Sequence, residues 1–277
     1  MKKILAATLA VTALTACNSG STSSGDADAP RVLVLYYSQG GATKTVATEL
    51  QKQLGADIEE ITVEVPYDGT YGETIDRCKQ EMENNEVPAL NPIKADLSKY
   101  DVIFLGYPIW FGTYARPIAG LVKAQAFQGK KVVPFCTFGS GGLQASINDL
   151  KAALPQAEVA EVGYGVRTIR VNDAPEEINR FLIENGYKAG EVEPLPAYGE
   201  QHPVDTTEVN IFNQACGDYK FPLGTPVSAA KRTTATSTDY LYEVDSTTPD
   251  GKDVKAQIYV TVPKADDAKP VFTQVVR

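Results

Sequence analysis

Apolar positions along this chain follow two rhythms. Residues 31–37, Arg-Val-Leu-Val-Leu-Tyr-Tyr, form an unbroken β-favouring run. Both faces of such a run need cover, as in a central parallel strand. A small, glycine-rich stretch follows, and Thr43–Leu54 then sets Val46, Ala47, Leu50 and Leu54 on one helical face, with Gly55 as the stop. The alternation repeats. Further strands are expected at 56–63, 101–107, 131–137 and 157–164, and helices at 73–84, 116–126, 143–154 and 174–184, with Pro108 closing the third strand. Five strands alternating with helices imply right-handed crossovers and a doubly wound parallel sheet of order 2-1-3-4-5. Such sheets bind ligands beyond the carboxyl ends of their strands. Three loops therefore matter, those after residues 37, 107 and 137.

From about residue 188 the rhythm changes. Residues 189–205 are rich in Pro, Glu and Gly and are expected to be a protease-sensitive linker. Thr206–Ala215 predicts a short helix, and alternating stretches near 225–233, 238–246, 254–262 and 270–276 predict antiparallel strands. The 277 residues thus divide into an α/β domain at 31–188 and a small α+β module at 206–277.

The N-terminus has its own chemistry. Lys2 and Lys3 precede an apolar run, Ile4–Ala16, that suits a signal peptide and is too short to span a bilayer. It ends Leu14-Thr15-Ala16-Cys17, which resembles a bacterial lipobox, where the cysteine thiol carries the lipid. Residues 1–16 are then a lipoprotein signal, Cys17 the membrane anchor, and the Ser-, Gly- and Asp-rich 17–30 a flexible tether. The expected location is the cell envelope, outside the cytoplasm. Removing residues 1–16 takes two of 26 basic side chains and none of 35 acidic ones, moving the formal net charge from −9 to −11. So acidic a body argues against nucleic acid as a partner. Cys78, Cys136 and Cys216 show no metal-type spacing and read as packed thiols. The only histidine, His202, reads as a surface-loop residue.

The first loop is Ser38-Gln39-Gly40-Gly41-Ala42-Thr43, leaving a buried strand and opening a helix. Glycines there let backbone amides close on an anion, and the helix N-terminus favours negative charge, so the segment predicts a phosphate site with help from the Ser38 and Thr43 hydroxyls. The second loop, Tyr107-Pro108-Ile109-Trp110-Phe111-Gly112-Thr113, puts the only tryptophan at its expected tip, suited to stacking on a flat ring. The third, Thr137-Phe138-Gly139-Ser140-Gly141-Gly142, allows close approach of a planar ligand.

These residues resemble flavodoxin-like FMN proteins, particularly an exported bacterial branch with Pro-Ile-Trp-(Phe/Trp)-Gly in the second loop. Residues 104–113 fit closely, as do Gly129–Thr137 and the glycines after them. The resemblance implies a flavodoxin-like five-stranded fold, non-covalent FMN, phosphate at 38–43, and the isoalloxazine between the second and third loops with Trp110 stacked on it. The family's first loop usually reads Ser/Thr-x-Thr-Gly-Asn-Thr. Here Gly40 and Ala42 replace a hydroxyl and an amide, each worth about 0.5–1.5 kcal/mol in a hydrogen bond. Lys44 is expected to compensate. Residues 206–277 resemble, more weakly, a cystatin-like α+β module; the stretch near Ala230–Ala235 lacks the inhibitor hairpin Gln-x-Val-x-Gly.

The function implied is redox. The flavin does the chemistry, so no catalytic side chain and no metal are expected. The other participant is an unidentified redox protein or a small acceptor such as a quinone. An acidic body and an indole on the ring disfavour the anionic reduced flavin and lower its potential. A second class of function stays open: a binding or scaffold lipoprotein with a weakened flavin site.

Overall fold

A computed structural model describes residues 30–277 except 125–126 and 248–250. Cys17, the signal and nearly all of the tether lie outside the described residues. Strands β1 (Val32–Tyr37), β2 (Asp57–Ile61), β3 (Val102–Trp110), β5 (Lys131–Phe138), β6 (Glu158–Val159) and β7 (Tyr164–Arg167) build one sheet, with a two-residue strand β4 (Thr113–Tyr114) folded back on β3. Its order is β2-β1-β3-β5-β6, with β7 also on β5, and every main pairing is parallel. This is the expected 2-1-3-4-5 arrangement.

Helices α1 (Ala42–Leu54) and α5 (Pro175–Glu184) cover one face; α2 (Tyr71–Glu83), α3 (Arg116–Lys123) and α4 (Leu143–Ala153) cover the other. The continuous apolar runs explain the division. Alternate residues point to opposite faces, so Val34, Tyr36 and Phe104 meet Val46, Leu50 and Ile178, while Leu33, Leu35 and Leu105 share the core with Ile118, Ile147 and Leu150.

Three expectations are corrected. The last strand is two short strands. Pro134 in β5 has no N–H to offer its neighbour. Val132 O accepts Ala160 N–H, so two residues on, the missing Pro134 donor faces the same side; the chain loops out after Val159 and resumes pairing at Tyr164 against Phe135. The third strand does not close at Pro108 but runs to Trp110. β1 has ended its pairing at Gly106, so Pro108 sits where β3 has lost that neighbour and a proline is tolerated. Helix α2 starts at Tyr71, set by a capping box of Thr70 and Glu73.

The C-terminal module is a second sheet, β8 (His202–Pro203), β9 (Thr225–Thr233), β10 (Ser237–Thr247), β11 (Asp253–Pro263) and β12 (Val271–Val276), antiparallel throughout in the order β12-β11-β10-β9-β8. Helix α6 (Thr206–Cys216) lays Phe212 and Cys216 on Tyr242, Val244, Ile258 and Phe272. Residues 198–205, read in the sequence as linker, line this sheet: Gly199 N–H donates to Lys231 O, Tyr198 packs edge-on against Tyr259 with ring centroids 6.4 Å apart, and β8 pairs with β9. His202, read as a loop residue, belongs to β8 and meets the buried Glu208 carboxylate at 3.0 Å. Cys78, Cys136 and Cys216 are buried free thiols, each pushed above the ordinary thiol range first by burial. Among the described residues no helix is long and apolar enough to cross a membrane.

Candidate functional site

The first loop opens α1 at the carboxyl end of the sheet, beside the switch point between β1 and β3. Gly41 is the N-cap, with φ of 85°. The N–H groups of Ala42 and Thr43 therefore precede any intrahelical acceptor. Ser38 Oγ accepts Lys44 N–H at 3.3 Å, leaving its own hydroxyl hydrogen free to donate. A Cβ built on Gly40 or Gly41 would meet nothing within 4 Å, so the space above these amides is open. That geometry fits a phosphate.

Several side chains of these loops have partners within the chain. Thr43 is buried, its hydroxyl 2.9 Å from Thr137 Oγ1. Thr137 and Phe138 are likewise buried and form the floor of the crevice, not its lining. Lys44 Nζ pairs with Glu60 at 3.1 Å, with more than half of the lysine side chain exposed. Gln39 donates to Tyr67 O and to Thr74 Oγ1, tying the first loop to the segment that enters α2.

The second loop is a tight hairpin. Trp110 pairs with Thr113, so Phe111 and Gly112 are the tip, with φ of 52° and 83°. Two consecutive left-handed residues match the twist of a two-residue hairpin, and Gly112 accepts this without strain. Trp110 is therefore not the tip: it lies one residue back, edge-on to Tyr67 at 5.1 Å and to Tyr37 at 5.8 Å. Tyr67 is fixed in turn by its hydroxyl on Glu81 at 2.5 Å and by Arg77 over its ring at 3.7 Å. Burial, then the Glu81 bond, holds the Tyr67 phenol well above its ordinary pKa, so it stays a neutral donor. The exposed aromatic is Phe111, half of whose surface is open. Beside this hairpin lies a cavity of about 450 Å³ lined by Trp110, Phe111, Thr113, Arg116 and Asp149, and the buried Thr113 Oγ1 has no partner among the described residues.

The second and third loops meet at Gly142. A Cβ there would lie 2.8 Å from Ile109 Cγ2, which packs Ile109 and Gly142 together, while Pro108 pairs with Thr137 beneath them. The third loop is also held from outside. Arg167 donates through Nε to Gly139 O and through Nη1 to Phe272 O, both at 2.8 Å, and its guanidinium lies 4.3 Å from the centre of the Phe272 ring. Val275 N–H donates to Ser140 O at 2.7 Å. The C-terminal module thus grips the third loop.

Sequence reasoning brought together Ser38–Ala42, Pro108–Gly112 and Gly139–Gly142. Tyr37, Tyr67 and Arg167, which the sequence reading did not single out, pack against these loops; only the Thr70/Glu73 box pointed toward the Tyr67 segment. A groove of about 1440 Å³ between α5 and the C-terminal sheet contains none of the residues read as ligands. Among the described residues no group of three or more His, Cys, Asp or Glu is placed to hold a metal ion.

Residues 1–18 match the prokaryotic membrane lipoprotein lipid attachment site, which takes in Cys17 and makes the chain a membrane lipoprotein. A search of curated proteins finds no match. Among solved structures, a protein of Bacteroides uniformis assigned as a flavoprotein is 25% identical, with TM-score 0.50, 55% of this chain and 97% of the other covered. One from Bacteroides eggerthii, similarly assigned, is 28% identical (TM-score 0.49, 56% and 96% covered). A Lactobacillus acidophilus flavoprotein solved in complex with FMN is 25% identical (TM-score 0.45, 52% and 98% covered). A family model described as flavodoxin matches residues 31–200, well over half the chain and all three loops, and the chain belongs to that family.

Proposed function

We propose that this chain is an envelope flavoprotein, anchored outside the cytoplasm by lipid on Cys17, that carries electrons to an unidentified redox protein or to a small acceptor such as a quinone. The cofactor is FMN, held non-covalently. Bound FMN supplies a ring that accepts and releases electrons; the chain's own residues bind and orient it. The Ala42 and Thr43 amides, the Ser38 hydroxyl and the positive end of α1 take the phosphate. Phe111 offers an open aromatic face, Trp110 backs it from the Tyr37–Tyr67 side, and the Gly139–Gly142 backbone bounds the opposite side. The observation that carries this reading is the open, amide-rich start of α1 at the switch point, flanked by an aromatic hairpin.

A second reading, a scaffold lipoprotein with a weakened flavin site, draws on Gly40, Ala42 and the engagement of Lys44 by Glu60. One experiment separates the two. The detergent-solubilised chain is incubated with FMN and desalted. The flavoprotein reading predicts retained flavin absorbance near one equivalent and quenched flavin fluorescence. A colourless protein with no quenching favours the scaffold.

A further inference from the structure

The C-terminal module reaches further than the third loop. After α6 the chain turns through Gly217–Phe221. Tyr219 stands beside the third loop, its hydroxyl 3.7 Å from where a Gly139 Cβ would be, with its ring against Phe272 at 5.3 Å and near the Arg167 guanidinium at 5.4 Å. The next residue reaches the opposite flank: Lys220 Nζ lies 5.7 Å from the ring centre of Tyr71, the first residue of α2, and 5.5 Å from that of Phe221. Tyr71 is one helical turn from Thr74, which receives the Gln39 side chain of the first loop.

The third loop follows β5 and α2 follows β2, and in the sheet β1 and β3 lie between those two strands. Neighbouring strands are about 4.8 Å apart, so three steps cover about 14 Å, a span that three residues with long side chains can bridge. A segment touching both flanks therefore crosses above the carboxyl ends of β1 and β3, where the crevice lies. What it carries suits a flavin phosphate. Tyr219 stands on the third-loop side and Lys220 on the first-loop side. Among the described residues no ion pair occupies Lys220, and Phe221 and Tyr71 are 55% and 71% exposed, large aromatic surfaces otherwise left to solvent.

We propose that the Gly217–Phe221 turn is the outer wall of the FMN site, with Lys220 as the cation that meets the phosphate and Tyr219 and Phe221 as the aromatic cover toward the ring. This rests on the FMN reading above. It gives the C-terminal module a binding role and supplies a positive charge from a distant part of the chain. Lys220 is exposed and makes no hydrogen bond among those described, so Lys220→Ala leaves the fold in place.

The test uses the full chain and two measurements. Amide hydrogen exchange is followed with and without FMN, and affinities for FMN and for riboflavin are compared in the parent and in Lys220→Ala. The expected result is slowed exchange at 217–221 on FMN addition, together with a five- to twenty-fold loss of FMN affinity in Lys220→Ala and little change for riboflavin. FMN binding with unchanged exchange at 217–221 and equal affinity in the variant overturns the wall and leaves the cofactor reading standing. Equal losses for FMN and riboflavin overturn the assignment of Lys220 to the phosphate. A parent chain that takes up no FMN overturns both.

Discussion

The first and third loops leave the same sheet edge, are both glycine-rich and both open a helix, yet they are held in opposite ways. The first stands open: nothing lies within 4 Å of a Cβ at Gly40 or Gly41. The third is gripped, its Gly139 and Ser140 carbonyls taken by Arg167 and Val275, and Val275 O sits 2.1 Å from where a Gly141 Cβ would be. Glycine serves different ends in the two places. In the first loop the space over Gly40 and Gly41 is open; in the third, the space at Gly141 is taken by another part of the same chain.

The comparison is broken most forcefully at Arg167. Its guanidinium is nearly buried and is held by two carbonyls and an aromatic face. Burial pulls its pKa down from the ordinary arginine value, and the group stays charged. Arg167→Ala should lower unfolding stability by about 2–4 kcal/mol, through two charge-assisted hydrogen bonds and the ring contact. Urea denaturation measures it. A loss below about 0.5 kcal/mol, the range of ordinary surface substitutions, would show that the grip on the third loop contributes nothing.

Matched glycine substitutions sharpen the contrast. Gly141→Ala drives a methyl into Val275 O and should cost about 1–3 kcal/mol. Gly40→Ala meets open space and should stay within about 0.5 kcal/mol. Equal costs at the two sites, by thermal or urea unfolding, contradict the distinction. The open loop can also be improved. Gly40→Thr restores a hydroxyl where the family carries one and should tighten FMN by about 0.5–1.5 kcal/mol, read in a fluorescence titration. An unchanged or weaker affinity would mean that this backbone position does not face the phosphate.

The smallest effect expected is at His202, far from both loops. The Glu200 carbonyl, then the Glu208 carboxylate, raise its pKa above the ordinary imidazole value. A group whose pKa is higher in the folded state than in the unfolded stabilises fully below the unfolded value, near 6.5, and loses that contribution as pH rises through the folded value. Melting temperature should therefore fall slightly from pH 6 upward over that interval, and His202→Gln should flatten the slope. An identical pH profile in the variant removes His202 from the account.

Local signals carried most of the fold. Continuous apolar runs at 31–37 and 131–137 marked central strands, and alternation in residues such as Gln257–Val262 marked the second sheet, because burial on one or two faces writes directly into periodicity. The split of the last strand was written in Pro134, a missing donor whose effect falls on a strand some 25 residues later. The start of α1 was legible because a helix N-terminus is local. The hairpin tip was misplaced by one residue because pairing of Trp110 with Thr113, not the aromatic itself, selects the turn. Thr43 and Thr137 turn toward each other across 94 residues of sequence, and Arg167 reaches Phe272 across 105. No spacing rule in either segment announces such partners.

The central claim is that the first loop holds a phosphate, and comparing FMN with riboflavin tests it most directly. The two ligands share the ring and differ in the phosphate. Amides at the start of α1 together with the Ser38 hydroxyl should make FMN bind at least about ten-fold more tightly, since each hydrogen bond to a charged group contributes about 1.5–3 kcal/mol. Titrations of the full chain, read by flavin fluorescence, should show that preference and should show it shrinking as salt is raised. Equal affinity for the two ligands, insensitive to salt, would place the phosphate in solvent and contradict the account.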